Sequence, residues 1–285
     1  LGTTPPMPYS AEITRANPAG ILILIDQSGS MGQPFAGQAD KRKADGVADA
    51  VNRLIQNLVL KSAKATGVRD YFHVGVIGYG AELAAGLGGS IPDDVMQPIS
   101  KVADKPLRIE TRSKLVDNGK GELVPQPIRF PVWFDATAAG KTPMAGVFEV
   151  AEQVLKRFIK SHPGSFPPTV LNLTDGRPSD ANPLPIVERV HDLATSDGNV
   201  LVFNLLISTE PTPPVFFPAD ESKFEDTYQK LLFRMSSELP PKLADAAKSD
   251  GYKLGAGARG LVLNADLTSV VRFLDIGTRV TTGMR

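Results

Sequence analysis

Three oxygen-bearing side chains at alternate positions are the first sign of chemistry. Asp26, Ser28 and Ser30 stand in the run Asp26-Gln27-Ser28-Gly29-Ser30-Met31-Gly32, directly after the apolar stretch Ile21–Ile25. A loop with this spacing can turn all three oxygens toward one point above the end of a strand. Hard divalent ions such as Mg²⁺ ask for oxygen ligands at about 2.1 Å in a near-octahedral array, with some water retained. Gly29 and Gly32 let the backbone bend tightly around such a point. A helix N-cap loop uses the same residue types for its own backbone bonds, and on this run alone both readings stand. Two further segments bear on the choice. Gly140-Lys141-Thr142-Pro143-Met144 sets a hydroxyl in front of a helix that opens with proline, and Leu173-Thr174-Asp175-Gly176 sets a carboxylate at the end of another apolar run.

The elements that must position these residues follow from periodicity. Ile21–Ile25 is a continuous β-favouring apolar run, the mark of a strand buried on both faces. Further strands are expected at Phe72–Tyr79, with Ala81–Ala85 as a hairpin partner, and at Thr169–Leu173, Asn199–Ile207 and Leu261–Leu263. Helical spacing predicts helices over about Asp40–Ala65, Pro92–Val102, from Pro143 onward, Pro185–Thr195, Phe224–Met235 and Leu267–Val280. Pro143 suits a first helical position. Leu107–Val116 and Gly121–Trp133 read as a hairpin turning at Asp117-Asn118-Gly119-Lys120. Residues 90–134 are too short for a core of their own and read as an elaboration inserted in one domain spanning 19–285, after an extended segment 1–18. Strands alternating with helices predict a doubly wound, mostly parallel sheet covered on both faces. Ligands of such sheets bind at the carboxyl ends of the strands, where the polar loops fall.

Asp-x-Ser-x-Ser, then Thr before Pro, then Thr-Asp-Gly, in this order, resembles the metal-ion-dependent adhesion site (MIDAS) of von Willebrand factor type A (VWA) domains. The resemblance covers about residues 20–208. It implies the Rossmann-like VWA fold, here with a β-rich insertion. It also implies that Asp26, Ser28, Ser30, Thr142 and Asp175 surround Mg²⁺ or Mn²⁺, partly through water. The function implied is a protein–protein interaction module that captures an Asp or Glu carboxylate of a partner. The runs Arg234–Pro241 and Gly255–Gly260 are similar to the tails of stand-alone bacterial VWA proteins, whose partners include signalling kinases, phosphatases and AAA+ ATPases. The long 90–134 segment departs from the family pattern and can overhang or flank the site.

Charge chemistry agrees with binding. Hydroxyl ligands are neutral and leave an ion much of its positive charge, which favours an anionic oxygen from outside. Hydrolytic metal sites need a positioned base and often a second ion, and no His, Glu or Lys stands in a motif suggesting one. Gly-x-Ser-x-Gly and a complete phosphate loop are missing, and no Gly-x-Gly-x-x-Gly follows the first strand, so no enzyme is expected. His73, His162 and His191 are scattered along the chain and read as structural. Lys141 and Arg177 flank the metal loops, either as solvated charges or as steering groups for an acidic partner. Phe130, Trp133 and Phe134 read chiefly as core, and Phe216 and Phe217 as cover for a sheet edge. Lys+Arg and Asp+Glu are both 31, which gives no support to a nucleic-acid or anionic-membrane surface. The chain has no cysteine, no long apolar span and no leader-like start, so a cytoplasmic setting is expected. Two alternatives remain beside carboxylate capture. One is a metal-dependent phosphohydrolase; the other is a VWA scaffold that binds partners through the 90–134 insertion.

Overall fold

The computed structural model describes residues 8–35, 38–88, 95–117, 119 and 121–278. Strand β1 spans Ala19–Asp26 and is buried throughout. Its alternation of Ile and Leu serves two cores at once. Ile21, Ile23 and Ile25 join the cluster on one face of the sheet, and Leu22 and Leu24 the cluster on the other. Helix α1 (Lys43–Ser62) packs Val47, Val51, Ile55 and Leu58 into the first cluster. Strand β2 (Phe72–Tyr79) returns parallel to β1, and β3 (Leu83–Ala85) pairs antiparallel on its outer side. A short helix α2 (Ile99–Ala103) leads to the hairpin β4 (Arg108–Asp117) and β5 (Leu123–Val132). Helix α3 (Met144–Ser161) covers the second face with Val147, Phe148, Ala151, Val154 and Leu155.

Strand β6 (Thr169–Thr174), helix α4 (Leu184–His191) and strand β7 (Leu201–Ile207) continue the alternation. Two residues, Val215–Phe216, form the edge strand β8, followed by α5 (Thr227–Met235), α6 (Pro241–Ser249), β9 (Leu261–Ala265) and α7 (Leu267–Gly277). The sheet order is β8-β9-β7-β6-β1-β2-β3. The five inner strands are parallel and both edges antiparallel. After β1 the chain winds to one side through β2, then crosses to the other side at β6. The strand order therefore reverses between β1 and β6, whose carboxyl ends carry Asp26 and Asp175. Such a reversal opens a crevice, because the connections leave in opposite directions.

Several expectations shift by local physics. The first helix starts at Lys43, not near Asp40, because Gln38–Arg42 pairs back on Pro34–Phe35. The helix expected over Pro92–Val102 shrinks to α2, since Gln97–Pro98 pairs with the edge of β2; residues 92–94 lie outside the described ones. The turn residues Asn118 and Lys120 and the end of the last expected helix also lie outside them. Helix α6, opened by the Pro240-Pro241 pair, was not expected at all. No helix among the described residues is long and apolar enough to cross a membrane.

A buried polar chain crosses the second core. Tyr79 Oη donates to Asn172 Oδ1 at 2.8 Å, Asn172 Nδ2 to Asn204 Oδ1 at 2.9 Å, and Asn204 Nδ2 to Ser236 Oγ at 2.9 Å. Every member has a partner, which a low-dielectric interior demands. The hairpin β4–β5 is tied to α1 by Asn52, whose Oδ1 accepts from the Trp133 and Phe134 amides and whose Nδ2 donates to the Phe134 carbonyl. Trp133 Nε1 donates to the Val102 carbonyl at 2.7 Å. Phe130, Trp133 and Phe134 are all buried, which makes them anchors of the insertion.

The loops above the crevice are laced by main-chain bonds. Ala139 N donates to Gln27 O at 2.6 Å, Gly29 N to Gly140 O at 3.1 Å, and Ser179 N to Thr142 O at 2.9 Å. Gly140 sits at φ +83°, and a Cβ there would lie 2.4 Å from the Ala81 amide nitrogen. Both facts require glycine. Gly140→Ala is expected to lower stability by about 1–3 kcal/mol in urea denaturation. An unchanged midpoint would mean that the lacing is not rigid.

His73 and His162 meet in space, with ring centroids 4.8 Å apart and Phe158 against both. Burial, then the charge of His162, pushes the His73 imidazole down to about 4 from its ordinary 6.5. An unfolded chain takes up this proton near 6.5, and the folded one only near 4. Stability should be full above pH 6.5 and decline as pH falls toward 4. His73→Gln should flatten that acid-side slope in thermal melts.

Candidate metal site

The structure brings all five expected residues to the carboxyl ends of β1 and β6. Asp26 ends β1 and is fully buried, and Ser28 and Thr142 are nearly so. Gly29–Gly32 forms one turn of 3-10 helix, with Met31 pointing into the core as its anchor. That turn lifts Ser28 and Ser30 side by side, with their Oγ atoms 3.0 Å apart. Ser30 Oγ donates to Asp175 Oδ1 at 2.7 Å. Thr142 joins them across Gly176. A Cβ built on that glycine would lie 3.5 Å from Thr142 Oγ1 and 3.9 Å from Ser30 Oγ.

The fit to a divalent ion can be tested on these oxygens. Adjacent ligands of an octahedral ion at about 2.1 Å lie about 3.0 Å from each other. The Ser28–Ser30 separation matches that edge. Among the described residues no three His, Cys, Asp or Glu side chains gather as a metal site. The set gathered here is hydroxyl-rich with two carboxylates, and its all-oxygen chemistry suits Mg²⁺ or Mn²⁺.

Asp26 is a brace for the loops. Its Oδ1 accepts from the Ser28 amide at 2.8 Å, and its Oδ2 accepts from Thr174 Oγ1 at 2.7 Å. One carboxylate thus binds the first loop to the end of β6. Burial pushes its pKa up; the Ser28 and Thr174 hydrogen bonds pull it back, and the neighbouring Asp175 adds to the rise. Asp175 is held differently. Its Oδ2 receives no well-aligned hydrogen bond, yet the Lys43 ammonium stands 2.5 Å away, and that distance makes the contact an ion pair. Both side chains are withdrawn from solvent, at 3% and 0% exposure.

Four contributors escaped sequence reading. Thr174 holds Asp26, although it had registered only as part of Thr-Asp-Gly. Lys43 reaches the site from the first residue of α1, and its only sequence signal is a basic residue where a helix begins. Tyr228 Oη donates to the Gly176 carbonyl, and Asp226 caps α5 while pairing with Arg177 at 2.5 Å. Arg177 is therefore partnered rather than free to steer, whereas Lys141 is exposed.

No protein-family model matches this chain, and no curated protein matches it either. Solved structures do. Proximal thread matrix protein 1 from the mussel byssus, solved in one case with a zinc-occupied MIDAS motif, is 13% identical at TM-score 0.46 and covers 95% of this chain and 49% of its own. The PilB minor pilin from Streptococcus sanguinis is 11% identical at TM-score 0.45, with coverage of 93% and 61%. The vWF domain of the type V pili tip protein Mfa5 from Porphyromonas gingivalis is 14% identical at TM-score 0.33, with coverage of 57% and 39%. The chain thus spans about half the length of the mussel protein. Scores below 0.5 decide nothing alone, and the fold rests on the chain's own sheet order and on where its loops meet. On that ground, with a mostly parallel sheet reversing between β1 and β6, this chain is a doubly wound α/β domain.

Proposed function

We propose that this domain is a metal-dependent protein-interaction module that captures a carboxylate of a partner protein. One observation carries the reading: hydroxyls of Ser28 and Ser30 at octahedral edge distance, with Asp175 beside them, at the strand reversal. A bound Mg²⁺ or Mn²⁺ would supply a positive centre with an open position for an anionic oxygen. The protein's part is to hold three neutral hydroxyls and two carboxylates in place before any ligand arrives. Laced loops and the Thr174–Asp26 bond do so, and fixed geometry spares the ordering cost of binding.

Among the described residues the side chains that bond to or pair with Asp175 are Ser30 and Lys43, and neither is a His or Glu. We therefore favour binding over turnover. A phosphohydrolase would need a proton acceptor aimed at the site, and no such contact supports that alternative. The partner's class follows the charge: an acidic segment, with signalling kinases, phosphatases or AAA+ ATPases as the classes suggested by the sequence resemblance.

Thermal melts with and without ion test the site. Saturating Mg²⁺ or Mn²⁺ should raise Tm by about 5 °C or more, as ligand at 100 times its Kd stabilises by about 2.7 kcal/mol. EDTA should reverse the gain, and Asp26→Ala or Asp175→Ala should abolish it. Partner capture should be lost under the same conditions; capture that persists in excess EDTA would sink the reading.

A second reading has an observation of its own. Leu107, Ile109, Leu115, Leu123 and Val124, on or beside the β4–β5 hairpin, are exposed, more apolar surface than a solvated hairpin needs. The hairpin is fastened to α1 at Asn52 and through the Arg112–Asp49 pair. If partners dock there, deleting residues 109–131 should abolish capture while leaving the metal-induced Tm shift intact.

A further inference from the structure

Lys43 is in a place that ordinary physics disfavours for a cation. It is the first residue of the 20-residue helix α1, where the helix dipole is positive and anions are preferred. It is also almost wholly buried, at 2% exposure. The two basic residues before it behave conventionally. Lys41 pairs with Asp49 and Arg42 with Asp45, both toward solvent. Only Lys43 of the three turns inward, and its ammonium meets Asp175 Oδ2 at 2.5 Å. The other oxygen of that carboxylate is held by Ser30. The ammonium therefore sits one carboxylate away from the oxygens that would hold an ion. A rule broken at a functional site usually reports a function.

We propose that Lys43 is a built-in counter-cation of the candidate metal site. By neutralising Asp175 it loosens the hold on a divalent ion and leaves the loaded site with positive charge to spare for an incoming carboxylate. This rests on the metal reading given above. With Asp26 and Asp175 ionised, Lys43 reduces the charge facing the ion to a single negative one. The ion's second positive charge then stays uncompensated. Without Lys43 the two carboxylates would balance the ion, and the pull on an external anion would fade. Lys43 thus trades affinity for the metal against affinity for the partner.

Calorimetric titration of Mg²⁺ and Mn²⁺ into the wild-type chain and into Lys43→Met, Lys43→Gln and Lys43→Arg separates the possibilities. The neutral variants should bind either ion about tenfold or more tightly, the size expected from removing a full charge this near. Lys43→Arg should stay close to wild type. Circular dichroism monitors folding; should the Met variant not fold, the Gln variant, whose amide can still donate to Asp175, decides. Acetate titrated into Mn²⁺-loaded protein, followed by water-proton relaxation, should bind more weakly in the neutral variants. Equal or weaker metal affinity in those variants overturns the proposal while leaving the metal site standing. Unchanged acetate binding overturns its second half. Binding of neither ion by the wild-type chain overturns the metal reading itself, and with it this inference.

Discussion

Two carboxylates, Asp26 and Asp175, stand at the ends of adjacent buried strands with their side chains withdrawn from water. Taking an ionised group out of water costs several kcal/mol even after the protein relaxes. Most of what surrounds the crevice can be understood as compensation for that cost. Asp26 is bonded by a backbone amide and by Thr174 Oγ1. Asp175 is bonded by Ser30 and paired with Lys43. The compensation is incomplete, since Asp26 still has its pKa raised by burial. That remainder, beside oriented hydroxyls at the strand reversal, is what the proposed cation would relieve.

The same economy shapes the elements around the crevice. Residue 140 has to be glycine for the loop before α3 to reach Gly29, and Met31 has to be apolar to pin the 3-10 turn that lifts the serines. Helix α1 serves both ends of the molecule's chemistry. Its first residue meets Asp175, and about two and a half turns along, Asn52 clamps the insertion. The hairpin, expected to overhang or flank the site, is seated on α1 by these contacts.

Much of this was legible before any coordinates. Ile21–Ile25 announced a strand buried on both faces, and the Ile/Leu alternation shows why: each residue type serves one core. The five candidate ligands were readable because each lies just after an apolar run or before a proline, and the structure gathers them at one end of the sheet. What was not legible depends on tertiary contact. Nothing local marks Lys43 as inward-facing while Lys41 and Arg42 face out, because the difference is made by Asp175, 132 positions away. His73 and His162 looked scattered because strand-to-helix packing, not spacing, joins their rings. Helix α6 escaped because its short apolar stripe, Leu243 and Ala247, is too sparse to show periodicity. The 38–42 segment was absorbed into α1 because its pairing partner, Pro34–Phe35, is too short to register as a strand.

The polar chain from Tyr79 through Asn172 and Asn204 to Ser236 has a consequence for alignment. A strand such as Ile-Leu-Ile-Leu-Ile, apolar on both sides, contains little information about which residue should lie opposite which. Sliding it by two positions would return each Ile and each Leu to the core face it already serves. The buried amides remove that degeneracy. Asn172 lies opposite Asn204 in the ladder, and any slip of β6 against β7 would break the bond between them, leaving Asn172 Nδ2 and Asn204 Oδ1 facing hydrocarbon. Since Asp175 follows β6 directly, the amide pair acts as a vernier: it sets the height at which one carboxylate emerges relative to the next strand, to within a single residue.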